Sequence, residues 1–309
     1  MFLKELYMKY VPIAMLAVLI LFGCSSVSVQ KQDTIVADYS KVRMIGPKKR
    51  IFVAEFENRS AYGQRRLGQG ISDVLTTELA NTNNFILLER EKLETILKEQ
   101  SLGQSGFINE QSAPQLGKLM GANAIITGSV TQFGTRTETY DVVLSSGKKQ
   151  ITTCAIDIRI VDTGSGQIVW AGSGQGEAVR TYTNVLGSGK AGGYDEALEG
   201  DAFRAAVVKV MEKLVTALNN LEWSCTVAKV TDAKMYINAG QKSGLELNTP
   251  LVIYTLGEMI VDPSTGKEIG QEETKIGSGT VASYFGEDGA IVNLDADSKV
   301  RIGDICKLK

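Results

Sequence analysis

Apolar and polar residues alternate in the middle of the chain, and this alternation predicts a sheet. Ala124–Val130 and Cys154–Val161 are strand-like runs on either side of a polar, threonine-rich insert. In the second run the even positions are apolar and Asp157 and Arg159 lie on the other face, which is the two-residue period of a half-buried strand. A turn at 162–166, rich in Gly and polar residues, then returns the chain. We therefore expect a sheet with a long hairpin drawn out of it.

The same region predicts two long β-hairpins. We place them at about 131–161, with the turn at Ser145–Lys148, and at about 170–195, with the turn near 186–189. Each arm of the first hairpin has the roughly 9 to 11 residues that a membrane-spanning strand needs. One face of its first arm is expected to point outward and carries Phe133, Thr135, Thr137 and Thr139.

A spacing of three to four residues between apolar positions predicts helices around the sheet. Strands and helices that follow one another in this way indicate a compact α+β domain over about 50–220. Helices are expected over Gly68–Asn81, Glu89–Gln100 and Glu196–Leu218, with a short one capped by Ser112, and strands over Ile51–Phe56 and Phe85–Leu88. The core-facing stripe of the last helix comprises Phe203, Ala206, Val207, Val210, Met211, Leu214 and Leu218.

The C-terminal part of the chain, 222–309, predicts a second and smaller domain. Many short strands separated by Gly-rich turns are typical of a small barrel or sandwich. Strands are expected over Thr226–Val230, Met235–Asn238, Leu251–Tyr254, Ser278–Ser283, Ala290–Leu294 and Asp304–Leu308.

The N-terminus has the pattern of an export signal. Two lysines precede the apolar run Val11–Phe22, which is short for a membrane-spanning helix. The run leads into Leu-Phe-Gly before Cys24, which resembles the bacterial lipobox. The resemblance implies a cleaved signal peptide, 1–23, fatty acyl chains such as palmitate on Cys24, and a tether over 24–49. An uncleaved transmembrane anchor with an incidental cysteine is the alternative.

The amino-acid composition limits the kinds of functional site that the chain can form. The 309 residues include 33 basic and 35 acidic side chains, so the net charge of −2 gives no global argument for nucleic acid. Histidine is absent, which removes the commonest general base and metal ligand. No phosphate-binding loop, nucleophile elbow or metal-ligand spacing occurs. We therefore expect no catalytic residue, no cofactor and no metal; an enzyme is the hypothesis from another class.

Three cysteines remain after Cys24. Cys154 belongs to the apolar face of its strand and is expected in the core. Cys225 and Cys306 lie near the two ends of the C-terminal domain, where the first and last strands of a small barrel often pair. A disulfide between them in an oxidising compartment and burial as two free thiols are both open.

Several ordered blocks of the chain resemble one family. They read IFVAEFENRS, GISDVLTTELANTNNFILLEREKLETILKEQ, LGKLMGANAIITGSV and IDIRIVDTGSGQIV, and lie between about residues 50 and 220. They are similar to the periplasmic domain of the CsgG family of curli secretion channels. The resemblance implies an outer-membrane lipoprotein whose subunits form a ring. It also implies two β-hairpins from each subunit in a shared transmembrane barrel that exports unfolded protein subunits. A related fold serves lipoprotein activators of peptidoglycan synthases, so fold alone does not decide function.

The resemblance also directs attention to single residues. Ser25, after the acylated cysteine, resembles the sorting position of lipoproteins sent to the outer membrane. Family channels narrow the lumen with a loop after the first strand, which makes Asn58 and Tyr62 candidates for a constriction; an ordinary surface loop is the alternative. The segments YINAGQKSGLELNTPLVIY, DPSTGKEIG and IGDICK resemble the C-terminal domain of the flagellar protein FlgT, which implies a small interaction module.

Two functions follow as expectations. In the first, the chain is a lipid-anchored, ring-forming secretion channel or assembly component for extracellular fibre or adhesin subunits. In the second, it is a periplasmic lipoprotein without a pore that regulates or scaffolds an envelope machine. The predicted hairpin faces carry methyls and hydroxyls rather than a band of Leu and Val, so spanning strands and soluble β-extensions both stay open. Membrane lipid, further copies of the chain and secreted or accessory proteins are the expected partners.

Overall fold

The computed structural model describes residues 46–62, 66–89, 116–117, 120–142, 145–185, 197–231, 233–264 and 268–309. The predicted signal peptide, Cys24, Ser112, all but the first residue of the predicted helix Glu89–Gln100, and the turn and return arm of the second hairpin lie outside these residues. The elements are β1 (Lys49–Val53), β2 (Glu57–Asn58), α1 (Arg66–Asn81), β3 (Phe85–Leu88), β4 (Ala124–Val142), β5 (Ser145–Asp162), β6 (Ile168–Val185), α2 (Ala197–Asn220), β7 (Ser224–Thr231), β8 (Lys234–Ile237), β9 (Pro250–Val261), β10 (Glu268–Phe285), β11 (Gly289–Leu294) and β12 (Ile305–Leu308).

The described residues belong to two compact units. One contains 137–142, 145–150 and 180–185, which are the described residues of its segments Thr137–Gln150 and Arg180–Tyr194. The other contains the remaining described residues, including both helices and the whole C-terminal barrel.

A six-stranded sheet carries the first domain. Its strand order is β3-β1-β4-β5-β6, and the short β2 pairs beside β4. Strand β1 is parallel to both β3 and β4, with Ile51 opposite Leu87 and Ala124. This strand is apolar on both faces because each face has its own core: Ile51 and Val53 lie in the cluster that includes the helices, and Phe52 lies in a second cluster with Ile125.

Helices α1 and α2 cover one face of this sheet because their apolar stripes match it. The predicted stripe of α2 is buried, from Phe203 to Leu218, and joins the same core as Leu75 of α1. Charged side chains link the helices: Arg66 donates to Glu199 across 3.0 Å, and Arg204 pairs with Glu78. Both carboxylates are buried, so these pairs satisfy groups that are costly to leave alone.

The C-terminal domain is a closed barrel of six strands in the order β10-β11-β8-β7-β12-β9. The pairing of β9 with β10 closes this order, and the last strand, β12, is antiparallel to both β7 and β9. Apolar side chains such as Val227, Ile237 and Val292 fill its interior. The α+β fold class with an all-β C-terminal domain is confirmed, and the barrel is the form that the structure takes.

Three details of the strands differ from the sequence prediction. The predicted turn at Ser145–Lys148 is wrong, because β4 ends at Val142 and β5 already begins at Ser145. Strand β1 runs over Lys49–Val53, whereas the sequence predicted a strand over Ile51–Phe56. Strands β9 and β10 are 12 and 18 residues long, far longer than the apolar runs suggested. Bulges in their pairing interrupt the two-residue period on which that prediction depended.

Candidate functional site

The loop with the two predicted constriction residues is tied to strand β4. Asn58 is the second residue of β2 and pairs with Val130. Its side-chain Nδ2 donates to the carbonyl of Tyr62 at 2.7 Å, and its Oδ1 accepts from the backbone N–H of Ser60 at 3.0 Å. These bonds hold Asn58 and Tyr62 together in one structured loop.

An aromatic cluster fixes the side of this loop that faces the domain. The ring of Tyr62 meets Phe133 edge-on at a centroid distance of 5.1 Å, and Phe133 meets Phe203 of α2 at 5.8 Å. Phe133 is buried, with 8% of its surface exposed. The expectation that Phe133 faces outward is therefore wrong. The aromatic partners that draw it inward are distant in sequence, and alternation alone does not identify them.

Beyond Phe133 the side chains of β4 become exposed. Thr135 is half-buried, and its hydroxyl lies 2.9 Å from that of Thr152 on β5. The next four residues are all exposed, and their alternation separates hydroxyls from charges. Thr137 and Thr139 share one face, while Arg136 and Glu138 share the other.

Strand β6 approaches helix α2 through glycines. A Cβ built on Gly176 would lie 2.3 Å from the backbone nitrogen of Ala206 and 2.4 Å from the carbonyl oxygen of Ala202. A Cβ on Gly174 would lie 2.3 Å from the carbonyl oxygen of Ala206. Gly174 and Gly176 of the segment GSGQG therefore allow close packing of the strand on the helix, which is a common role of glycine within strands.

The sheet domain and the barrel meet through a polar junction. Asn123 donates through Nδ2 to the carbonyl of Ser224 at 2.8 Å, and its Oδ1 accepts from the backbone N–H of Arg50 at 2.8 Å. The guanidinium of Arg50 lies 4.0 Å from a carboxylate oxygen of Asp288. Burial lowers the pKa of Arg50, and the charge of Asp288 acts against that shift.

A cavity of about 320 Å³ lies beside this junction. Its charged wall is formed by Lys307 of β12, whose Nζ lies 2.7 Å from Glu222 and 2.6 Å from Glu273. Burial alone lowers the pKa of Lys307, but its hydrogen bonds to both glutamates raise that pKa above its ordinary value. No sequence pattern indicated this group, because Glu222, Glu273 and Lys307 are far apart along the chain.

The cysteines lie in two separate cores. Cys154 is buried in the sheet core, and burial raises the pKa of its thiol to about 12. Cys225 and Cys306 are buried in the barrel core and lie opposite each other on paired strands. All three are free thiols in the structure. Among the residues that the structure describes, no three His, Cys, Asp or Glu side chains form a group that could hold a metal ion.

Comparison with known proteins identifies the family. Residues 37–247 match the sequence profile of the family described as "Curli production assembly/transport component CsgG". The chain belongs to the CsgG family. The match contains the whole sheet domain and the first strands of the barrel, so the resemblance predicted from the sequence blocks is confirmed.

A curated relative agrees with this assignment. The chain is 32% identical over 218 residues to a protein of Neisseria meningitidis serogroup B that is named as a lipoprotein, NMB1126/NMB1164. The aligned region covers 66% of this chain and 91% of the relative.

Solved structures show similarity at low identity. The crystal structure of lipoprotein GNA1162 from Neisseria meningitidis matches with a TM-score of 0.33 and 17% identity, over 56% of this chain and 99% of the other. The C-terminal domain of LpoB from Escherichia coli matches with a TM-score of 0.33 and 17% identity, over 44% of this chain and 90% of that domain.

Proposed function

We propose that this CsgG-family protein is anchored in the outer membrane by lipid on Cys24 and assembles into a ring. In this role it serves as a secretion channel, or as an assembly component, for extracellular fibre or adhesin subunits. The observation that supports the proposal most is the set of three neighbouring strands with 19, 18 and 18 residues.

Strand length is the first argument. Strands in soluble domains average about 5 to 6 residues, whereas a membrane-spanning strand needs about 9 to 11. Strand β4 ends at Val142. Among the residues of β4 whose exposure is described, Phe133 is the last that is buried. About nine residues therefore follow the part that packs in the core, which is close to the length that a tilted spanning strand requires.

Alternation is the second argument. In a barrel wall one face of a strand contacts lipid and the other lines a polar interior. The exposed part of β4 places Thr137 and Thr139 on one face and Arg136 and Glu138 on the other. Hydroxyl-bearing threonine costs less in lipid than a charged side chain, so the threonine face is the one suited to lipid.

We also propose that the chain is not an enzyme. Its family is described as an assembly and transport component. The thiols of Cys154 and Cys225 are buried, and burial raises the pKa of both, which opposes formation of a reactive thiolate.

The alternative is a lipoprotein without a pore that regulates or scaffolds an envelope machine by binding. One observation favours it. Phe133, the only aromatic residue on the predicted outward face of β4, packs into its own domain, which leaves threonines without a band of large apolar side chains. Transmembrane barrels ordinarily carry such a band, flanked by aromatic residues.

Single cysteines on β4 distinguish the two functions. Thr137→Cys and Thr139→Cys report on one face, and Arg136→Cys and Glu138→Cys are the matched controls on the other. If the strands span a membrane, a lipid-phase thiol probe labels the first pair in the reconstituted protein, and a water-soluble maleimide labels the second. The buried native cysteines provide the background, measured on the unmodified protein.

Labelling of all four positions from water would contradict spanning strands and favour the alternative. Labelling of the threonine positions from lipid, with the charged positions accessible only from water, would support the channel.

A further inference from the structure

Two cysteines of the barrel are in register across a strand pair. Strands β7 and β12 are antiparallel, and Cys306 lies opposite Cys225, between the pairs Ile305–Thr226 and Lys307–Ser224. Residues directly opposite each other on antiparallel strands have Cα atoms about 4.5 or 5.5 Å apart. Both separations fall within the range of about 4.4 to 6.8 Å that disulfide bonds span.

The two side chains also point into the same space. Cys225 is 4% exposed and Cys306 is 0% exposed, and both belong to the apolar core of the barrel. Their thiols are close enough to share a hydrogen bond. The third cysteine of the described residues, Cys154, belongs to the separate core of the sheet domain. Among the cysteines that the structure describes, each barrel thiol therefore has one partner within reach, the other barrel thiol.

We propose that Cys225 and Cys306 are a disulfide site, and that the bond forms while the barrel folds outside the cytoplasm. The cellular part of this inference rests on the proposed function, which exports the chain to an oxidising compartment. The bond joins β7 to β12, which are the first and last strands of the barrel along the chain and are neighbours in its wall.

The β7–β12 pair brings together the two ends of the barrel segment of the chain. Strand β12 has four residues. Short strands open readily because few contacts hold them. A bond from Cys306 to Cys225 closes a long loop in the unfolded chain and thereby favours the closed barrel.

The reaction requires a disulfide donor, either a thiol oxidoreductase of the envelope or oxidised glutathione. The thiolate of one cysteine attacks the donor disulfide, forming a mixed disulfide and releasing one donor thiol. The second cysteine, after losing its proton, attacks the mixed disulfide and releases the second donor thiol. Two protein thiols are thus oxidised by two electrons, and one donor disulfide is reduced to two thiols.

Burial sets the time at which this exchange occurs. Burial raises the pKa of Cys225 well above its ordinary value, and the hydrogen bond with Cys306 raises it further, whereas the charge of Arg50 acts in the opposite direction. The folded barrel therefore holds little thiolate and excludes the donor. The exchange takes place before β12 docks, and a barrel that closes reduced stays reduced.

Refolding tests this order of events. The acylated full chain is unfolded in urea with reductant, and then refolded with oxidised glutathione; folded, reduced protein receives the same treatment for the same time. We expect a Cys225–Cys306 peptide in the non-reduced digest of the refolded sample. In the folded sample we expect the bond to form at least tenfold more slowly. The refolded, oxidised protein also unfolds at a higher urea concentration than the reduced protein.

Three variants separate the bond from general effects. Cys154→Ala is the matched control and retains the linked peptide. Cys306→Ala loses it, and Cys225→Ala/Cys306→Ala unfolds at the same urea concentration with and without reductant. Free Cys225 and Cys306 after oxidative refolding, or linkage to Cys154, would overturn the disulfide site.

A second arm separates this inference from the proposed function. Cells that produce the chain are quenched with acid, and their free thiols are alkylated before lysis. The linked peptide in these cells supports both the bond and export. If the bond forms in refolding but is missing from cells in which Cys24 is acylated, formation on export is overturned and the proposed function stands; a chain recovered from these cells without acyl groups contradicts the export on which the proposed function depends.

Discussion

Lys49 is a charged residue inside the fold. It is 2% exposed, and its Nζ donates to the carbonyl of Asn219 in the last turn of α2 at 2.9 Å. A cation at a helix C-terminus is favourable because it satisfies a terminal carbonyl and meets the negative end of the helix dipole. Burial nevertheless lowers the pKa of Lys49 below 10.5. The hydrogen bond of Lys49 therefore stabilises the fold, while burial of the side chain disfavours its protonated form.

This pKa shift predicts a pH dependence of stability. Between the lowered pKa and 10.5, the unfolded chain binds more protons than the folded chain, so this residue makes the free energy of unfolding rise with pH. We expect Lys49→Met to remove that rise. The stability difference, wild type minus variant, should grow as pH increases toward 10.5 in urea unfolding experiments. Lys48→Met controls for the loss of one positive charge, and a constant difference for Lys49→Met would contradict the prediction.

Single residues also show which features of the fold the alternation of apolar residues predicts and which it does not. Alternation correctly placed Cys154 in a core, since its strand has one apolar face. The same alternation put Phe133 on the outer face, but Tyr62 and Phe203 provide an aromatic site for it inside. Alternation along a strand shows which side chains share a face. Contacts from other elements decide which of the two faces is buried.

At the scale of elements, the contact between β6 and α2 depends on the absence of a side chain. We expect Gly176→Ala to reduce the free energy of unfolding by about 1–3 kcal/mol, because its Cβ would overlap backbone atoms that cannot move independently of the helix. Gly134→Ala on β4 is the matched control, since a Cβ there meets no atom within 4 Å. Urea unfolding of both variants measures the effect, and equal stabilities would show that the close packing is not required.

Elements with strong periodicity were predictable. The residues predicted to form the core-facing stripe of α2 are buried, and β3 occupies the predicted residues Phe85–Leu88. The turn between β4 and β5 was not predictable, because Ser145–Lys148 have the composition of a turn but belong to strand β5. Turn propensity is a local preference, and a long strand pair can override it with hydrogen bonds to its neighbours.

At the scale of the whole molecule, the sequence predicted the two kinds of domain and the family but not what lies at their junction. The ion pairs of Lys307 join β12 to Glu222 and Glu273, which are distant in sequence and carry no motif. Within the described residues, no helix is long and apolar enough to cross a membrane. The membrane attachment that we propose uses lipid at Cys24 and the long strands β4, β5 and β6.

Conductance of the purified, acylated oligomer in a planar lipid bilayer tests the central proposal most directly. A ring of spanning strands encloses a lumen lined by the charged face of β4, with Arg136 and Glu138, so ions should pass through it. We predict discrete and stable current steps that appear with the oligomer. An oligomer that binds the bilayer without any current would contradict the secretion channel.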